Sequence, residues 1–484
     1  MVGVVRAPRP LFFIAAILFA CTTHTVETPA AQSPTPSPSV NPAVSTSTFD
    51  GARAKAHVDY LADPARAGRY SGSVGYLDAA TYVAERFREI GLEPAGDSGT
   101  FFQHFTMPIV DLTAMSVLAT GEKGYRPRVD FTESVGGRSG SGSVEAEISV
   151  VGGAARSGGQ NDFAGANVRG KIALITGPGA PGGASVVESA YQEGAAAVLV
   201  IGGATLRYSF APRFQTMTIP TLVITEDVAN ELMAPSGKKV SDERAAVQAR
   251  RSDPTAPPSG FDIATTVRVS VSLTPVHDAE AINVVGLLRA SDDAGGKRAV
   301  LVGGHLDGVG TDPDGSVFQA ANDNASGPAV TIEVARALAA DRSSLTHSVV
   351  FVAFAGEEEG FFGSEAYAAQ TATTPGRVES LIAMINLDVI GCCSDTLLVS
   401  NETPDLQRKV RDTATSLGIA NQSTGGGGSD QTSFARRRVP AVFIGMSDFI
   451  LHVYADKPGV VEASRLKKAG DVVTSVARQL ANGG

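Results

Sequence analysis

Apolar residues recur along this chain with two different periods, and the change of period divides it. Between Phe49 and about Val110 the pattern is helical. Leu77, Ala80, Val83, Phe87 and Ile90 fall on one face, and Gly91 supplies the stop. From about Asp111 to Thr274 short β-type runs stand between Gly- and Ser-rich stretches. They cover 143–151, 168–175, 195–201 and 219–224, with a helical stretch ending at Gly194. The polar segment Ser236 to Gly260 reads as an exposed loop. From Ala281 onwards continuous apolar strands are predicted at Ile282–Leu288, Ala299–Gly303, Ser348–Phe354, Leu381–Leu387 and Pro440–Ile444. Helices fall between them, one opening at Ser326 with Val330, Val334 and Leu338 on one face. Another closes the chain with Leu466, Val473, Val476 and Leu480.

Unbroken apolar strands alternating with helices indicate an α/β fold whose sheet is covered on both faces. At 484 residues the chain is too long for one ordinary domain. Hydrophobic residues at 43% and charged residues at 19% are a globular composition. The net charge of -10 would be repelled by phosphates, so nucleic acid is not an expected partner. Three cysteines exclude a disulfide-built scaffold. Cys392 and Cys393 are adjacent, follow an apolar strand, and read as buried thiols, since neighbouring cysteines rarely pair without strain.

The N-terminus reads as an export signal. Arg6 and Arg9 precede the apolar run Leu11 to Ala20, which is too short to span a bilayer. The stretch Leu18-Phe19-Ala20-Cys21 resembles the lipobox of bacterial lipoproteins, with Phe19 bulkier than that pattern usually shows; the resemblance implies lipidation at Cys21. Residues 22–48, rich in Ser, Thr and Pro, cannot bury a core and read as a tether. The expected location is therefore the outer side of the cell membrane, through a lipid anchor, or else secretion.

Chemistry-bearing residues lie where the later strands end. His305 and Asp307 close the strand at 299–303, Asp323 stands just before the helix at Ser326, and Glu357, Glu358 and Glu359 follow Ser348–Phe354. Asp388 follows Leu381–Leu387, and His452 comes soon after Pro440–Ile444. Ligands of open α/β sheets bind outside the carboxyl ends of strands. Carboxylates forced together repel unless a cation is present, and two His with several Asp/Glu make an N/O set suited to zinc. A carboxylate shared by two ions would hold them at the spacing of two-metal hydrolases, and one further carboxylate would move the water's proton.

The motifs Gly304-His305-Leu306-Asp307, Asp323-Asn324-Ala325-Ser326-Gly327, Gly356 to Ser364, Asn386 to Gly391, and His452 with Asp456 resemble the M28 family of metallopeptidases, in the same chain order. The middle segment resembles a protease-associated domain, through 170–174, 193–198 and Ile219-Pro220. The resemblance implies a zinc-exopeptidase-like mixed sheet with helices on both faces and an inserted, mainly-β domain. The implied division is signal peptide 1–21, tether 22–48, peptidase 49–110, insert 111–274 and peptidase 275–484. It also implies two zinc ions, His305 and Asp388 on one, Glu358 and His452 on the other, Asp323 bridging. Glu357 takes the place of the general base and Asp307 that of the carboxylate orienting the His305 ring.

The implied activity is removal of N-terminal residues from peptides. A carboxypeptidase, a glutaminyl cyclase or an inactive binding lipoprotein would share much of this pattern. The chain departs from its relatives at Gly308, where Ser is common, at Gln431 within Ser429 to Phe434, and at Leu451, where some have Tyr. Tyr454 is the expected substitute for an oxyanion-steadying group. His24, His57, His104, His277 and His347 lack such contexts and read as ordinary.

Overall fold

In the computed structural model the described residues are 49–483, apart from 134–138, 155–160, 178–185, 204–205, 207, 209–218, 254, 291–297, 371–376 and 427. The expected signal peptide at 1–21, the expected tether at 22–48 and Cys21 lie outside the described residues.

Two sheets organise the chain. The first has nine strands among the described residues. Its centre is four parallel neighbours in the order Ser348–Phe354, Ala299–His305, Leu381–Leu387 and Ala441–Met446. His277–Leu288 pairs antiparallel with Ser348–Phe354 on one side, and Leu397–Ser400 antiparallel with Ala441–Met446 on the other. The sheet is therefore mixed, as expected. Every residue of Ala299–His305 and of Ser348–Phe354 is buried, which is why these strands read as unbroken apolar runs rather than as alternation. Helices Gly51–Leu61, Val74–Ile90, Ser326–Ala339 and Ala463–Ala481 cover one face. Phe354, Tyr367, Met384 and Phe434 build the core on the other, under helices Phe362–Ala369 and Gln431–Ala435.

The chain leaves this sheet after the strand Phe102–Ile109 and re-enters it at His277, both strands being paired with each other. In between it forms a sheet with eight strands among the described residues, from Leu112–Thr120 to Phe261–Leu273. Here the four strands Gly142–Val150, Ile172–Ile175, Ala197–Ile201 and Thr221–Ile224 run parallel, so this second lobe is also mixed. Helices pack against it, with apolar clusters on both faces.

Three expectations need correction. The segment 236–260 is no simple loop: Val240–Ser252 is a helix, started by the Asp242 carboxylate accepting the Lys239 amide at 2.9 Å. Only Val240, Glu243 and Val247 of it are buried, so no apolar stripe marked it in the sequence. Leu77 is 53% exposed, because Tyr76 takes the core position and donates its hydroxyl to the Ile282 carbonyl at 2.8 Å. Cys392 and Cys393 are joined to each other as a disulfide, not held as thiols.

Candidate metal centre

The four central strands are parallel and adjacent, so their carboxyl ends open on one edge of the sheet and deliver their next residues to one place. His305 is the last residue of its strand, Asp388 follows Leu387 directly, and Glu357 and Glu358 come shortly after Phe354. Asp323 arrives from the turn Ala321–Ala325 ahead of helix Ser326–Ala339, and His452 from the loop beyond Met446. Glycine makes the approach possible. A Cβ on Gly304 would lie 2.1 Å from the Leu387 carbonyl oxygen, so a larger residue there would force His305 and Asp388 apart.

Asp323 stands between the two imidazoles. Its Oδ1 is 3.3 Å from His305 Nε2 and its Oδ2 is 3.1 Å from His452 Nε2. Asp388 Oδ1 lies 3.2 Å from His305 Nε2, and Glu358 Oε2 lies 2.8 Å from His452 Nε2. Glu357 falls on the His305 and Asp388 side, with ligand-type atoms of the three within 4.8 Å of one another. His305, Asp323 and Glu358 form a second such group. Asp307 sits on the far side of the His305 ring, its Oδ1 3.6 Å from Nδ1, while its Oδ2 accepts the Glu358 amide at 3.1 Å. The seven side chains given a role between His305 and His452 thus meet in one site.

The turn that carries Asp323 is itself held. Asp456 accepts the amides of Asn322 at 2.7 Å and Asp323 at 3.0 Å, one on each carboxylate oxygen. Asn324 donates to the Leu387 carbonyl at 2.9 Å, which ties the turn to the strand leading to Asp388. Arg69 was not singled out by the sequence. Fully buried, it donates to the carbonyls of Leu306 at 2.8 Å, Leu61 at 2.7 Å, Gln319 at 3.0 Å and Ala320 at 2.7 Å. It therefore fastens the residue between His305 and Asp307 to the approach of the Asp323 turn. One Arg among several near residue 66 gave no signal of this. Tyr454 is placed otherwise than expected: its hydroxyl donates to Asp312 and its ring stacks on Phe318 with centroids 4.5 Å apart.

The electrostatics call for cations. Burial by itself would lower the pKa of His305, but Glu357 and Asp388 hold it well above its ordinary value. His452 is likewise raised, by Glu358 and Asp323, against the effect of burial. Burial pushes the Glu357 carboxyl well above the usual range, and the nearby Glu358 and Asp388 charges add to that. Asp323, though buried, is held below its ordinary value by the two imidazoles. Glu358 Oε1, His305 Nδ1 and Asp307 Oδ1 are buried with no hydrogen-bond partner among the described residues. Three buried carboxylates and the half-buried Glu358 around two imidazoles, with an orphaned acceptor on Glu358, are a donor set that zinc or a similar divalent ion fits. By contrast His57 pairs with Glu333 and His104 with Glu280, away from this site.

A protein of Pyrenophora teres f. teres named "Probable zinc metalloprotease" is 41% identical over 110 residues, 22% of each chain. A "Probable leucine aminopeptidase" of Arthroderma otae is 24% identical over 207 residues, 40% of this chain and 57% of that one. The chain thus spans between about a fifth and three fifths of these relatives' lengths. Among solved structures, an aminopeptidase from Aneurinibacillus sp. strain AM-1 superposes with a TM-score of 0.64 at 23% identity, covering 89% of this chain and 94% of that one. A zinc aminopeptidase from Bacillus subtilis gives 0.64 at 19%, covering 89% and 95%. These likenesses establish a shared fold. Residues 283–477 match the model of peptidase family M28, and every side chain of the candidate centre, from His305 to His452, lies in that segment. The family match and the shared fold coincide over that segment.

Proposed function

We propose that this protein is an exported zinc aminopeptidase, anchored to the outer side of the cell membrane by lipid on Cys21. The observation that carries the catalytic part is the placement of Asp323 between His305 and His452, each imidazole having a second carboxylate of its own. In this reading His305 and Asp388 hold one zinc, Glu358 and His452 the other, and Asp323 both. A zinc pair, when bound, supplies an acidified water and polarises a carbonyl oxygen. Glu357 is the group that takes the water's proton and passes it to the leaving amine. Its buried carboxyl, with a raised pKa, suits a base that must also act as an acid. Asp307 keeps the His305 ring oriented from behind. The second lobe is assigned as a domain of the protease-associated type. The aminopeptidase names among relatives and structural neighbours favour a free substrate amine over the carboxypeptidase or cyclase alternatives.

The test is hydrolysis of leucine anilide beside its N-acetylated twin, with and without chelator and added zinc. Cleavage of the free-amine substrate only, lost to chelator and restored by zinc, is the expected result. Cleavage of neither by protein holding two zinc ions would refute the aminopeptidase reading. Absence of zinc binding would refute the metal reading and leave a binding lipoprotein.

A further inference from the structure

His452 differs from the other ligand-type residues in how it is carried. His305 and Asp388 sit at strand ends, whereas His452 rides on a loop six residues past Met446. Its side chain is 19% exposed, against 1% for His305. A metal ligand must be held within a fraction of an ångström, so a loop of this kind requires support from outside itself. The support comes from the second lobe. The Tyr208 amide donates to the His452 carbonyl at 3.3 Å. The Tyr208 ring stacks on Phe318 at 5.2 Å, and Phe318 on Tyr454, two residues past His452, at 4.5 Å.

A buried ion cluster clamps this stack. Arg128, also from the second lobe, donates to Asp312 through Nε at 2.8 Å and Nη2 at 2.5 Å. It also reaches Thr132 at 2.8 Å and pairs with Glu133, and its guanidinium lies 4.2 Å over the Tyr208 ring. Asp312 in turn accepts the Tyr454 hydroxyl. The side chains of Arg128, Asp312 and Glu133 are 6%, 1% and 0% exposed, so the cluster is protected from solvent screening. Val309 and Phe318, from the loop after Asp307, are buried in the second lobe's own core.

We propose that the second lobe is a positioning element for the metal centre, in which Arg128, through Asp312 and the Tyr208–Phe318–Tyr454 stack, sets the place of His452. This rests on the reading of His452 as a zinc ligand. It gives the inserted lobe a task apart from covering or admitting substrate, and it makes Arg128 and Tyr454 positioning residues that touch no reacting atom.

The test uses the metal-free full chain as wild type, Arg128→Ala, Tyr454→Phe and Lys123→Ala. Lys123→Ala removes an exposed ion pair with Glu231 in the same lobe and serves as the control. Hydrogen exchange of residues 448–456 reads the loop without any metal. Titration in zinc-buffered solution reads the two ions separately. Arg128→Ala is expected to speed exchange in that loop at least roughly tenfold and to weaken one zinc ion by about 10–100-fold, the usual effect of removing an outer support, while the other changes by less than about threefold. Tyr454→Phe, which keeps the ring and loses only the hydroxyl, should do the same to a smaller extent. Lys123→Ala should do neither. If Arg128→Ala does not fold, Tyr454→Phe decides. Wild-type exchange and wild-type zinc constants in a folded variant would overturn the proposal. So would equal weakening of both ions with a general loss of stability. Faster loop exchange in a protein whose wild type binds no zinc would instead uphold the positioning role and refute the metal reading.

Discussion

Glu333 offers a measurement in which sign and size both follow from the structure. It lies in helix Ser326–Ala339, directly after the Asp323 turn, with its side chain fully buried. Its carboxylate accepts from Arg53 Nε at 2.8 Å and Arg336 Nε at 3.0 Å, and His57 Nε2 is 3.2 Å away. It thereby ties the site-bearing helix to helix Gly51–Leu61. Burial would raise its pKa, but His57, Arg53 and Arg336 outweigh that and bring it down from 4.5 to about 2. Such a drop corresponds to about 3 kcal/mol, trimmed to about 2 kcal/mol because Arg53 is half-exposed and screened. A depressed carboxylate contributes stability that is present above its unfolded pKa and lost as pH falls toward the folded one. Glu333→Gln is therefore expected to lower unfolding free energy by about 2 kcal/mol at pH 7, nearly as much at pH 5, and only by about 1 kcal/mol at pH 3. Urea unfolding of both proteins at the three pH values measures this. A gap of equal size at pH 7 and pH 3, or none at pH 7, would refute the ionic origin assigned to the contact.

Other consequences concern the site. Under the proposed two-zinc reading, Glu357→Gln should keep both ions and slow turnover by about two to four powers of ten; full activity would remove Glu357 from its role. Asp323→Ala should lose zinc, read by metal analysis after dialysis, and a variant holding two ions would defeat the bridging assignment. Arg69→Lys replaces five fixed donors by three where four carbonyls wait, and is expected to cost about 2–4 kcal/mol in unfolding free energy. An unchanged urea midpoint would contradict that. If the proposed lipid anchor is right, Cys21→Ser should move the protein from the membrane fraction to the soluble one, as seen by fractionation.

What the sequence by itself determined is whatever depends on near neighbours along the chain. The strands Ser348–Phe354 and Leu381–Leu387 were legible to the residue, because strands packed on both faces are apolar runs, here broken only by Ser348 and Asn386. The ligand-type residues were legible because each follows such a strand or precedes a helix, and the motifs around them are local. Helix Val240–Ser252 was not, since it buries only one residue per turn and its polar remainder looks like any loop. The pairing of Cys392 with Cys393 was not either, because adjacency alone argues for thiols.

Tertiary structure decided which of these features meet. The order of the four central strands puts His305, Glu357, Asp388 and the His452 loop at adjacent ends, although His305 and His452 lie 147 positions apart in the chain. Arg69 reaches the Leu306 carbonyl across 237 positions, and Arg128 reaches Asp312 across 184. A buried charge is tolerated only where distant segments supply its partners, and no local pattern can reveal where those segments will lie. The chemistry of the centre was therefore written in short motifs, while the supports that hold its geometry exist only once the two lobes have folded against each other.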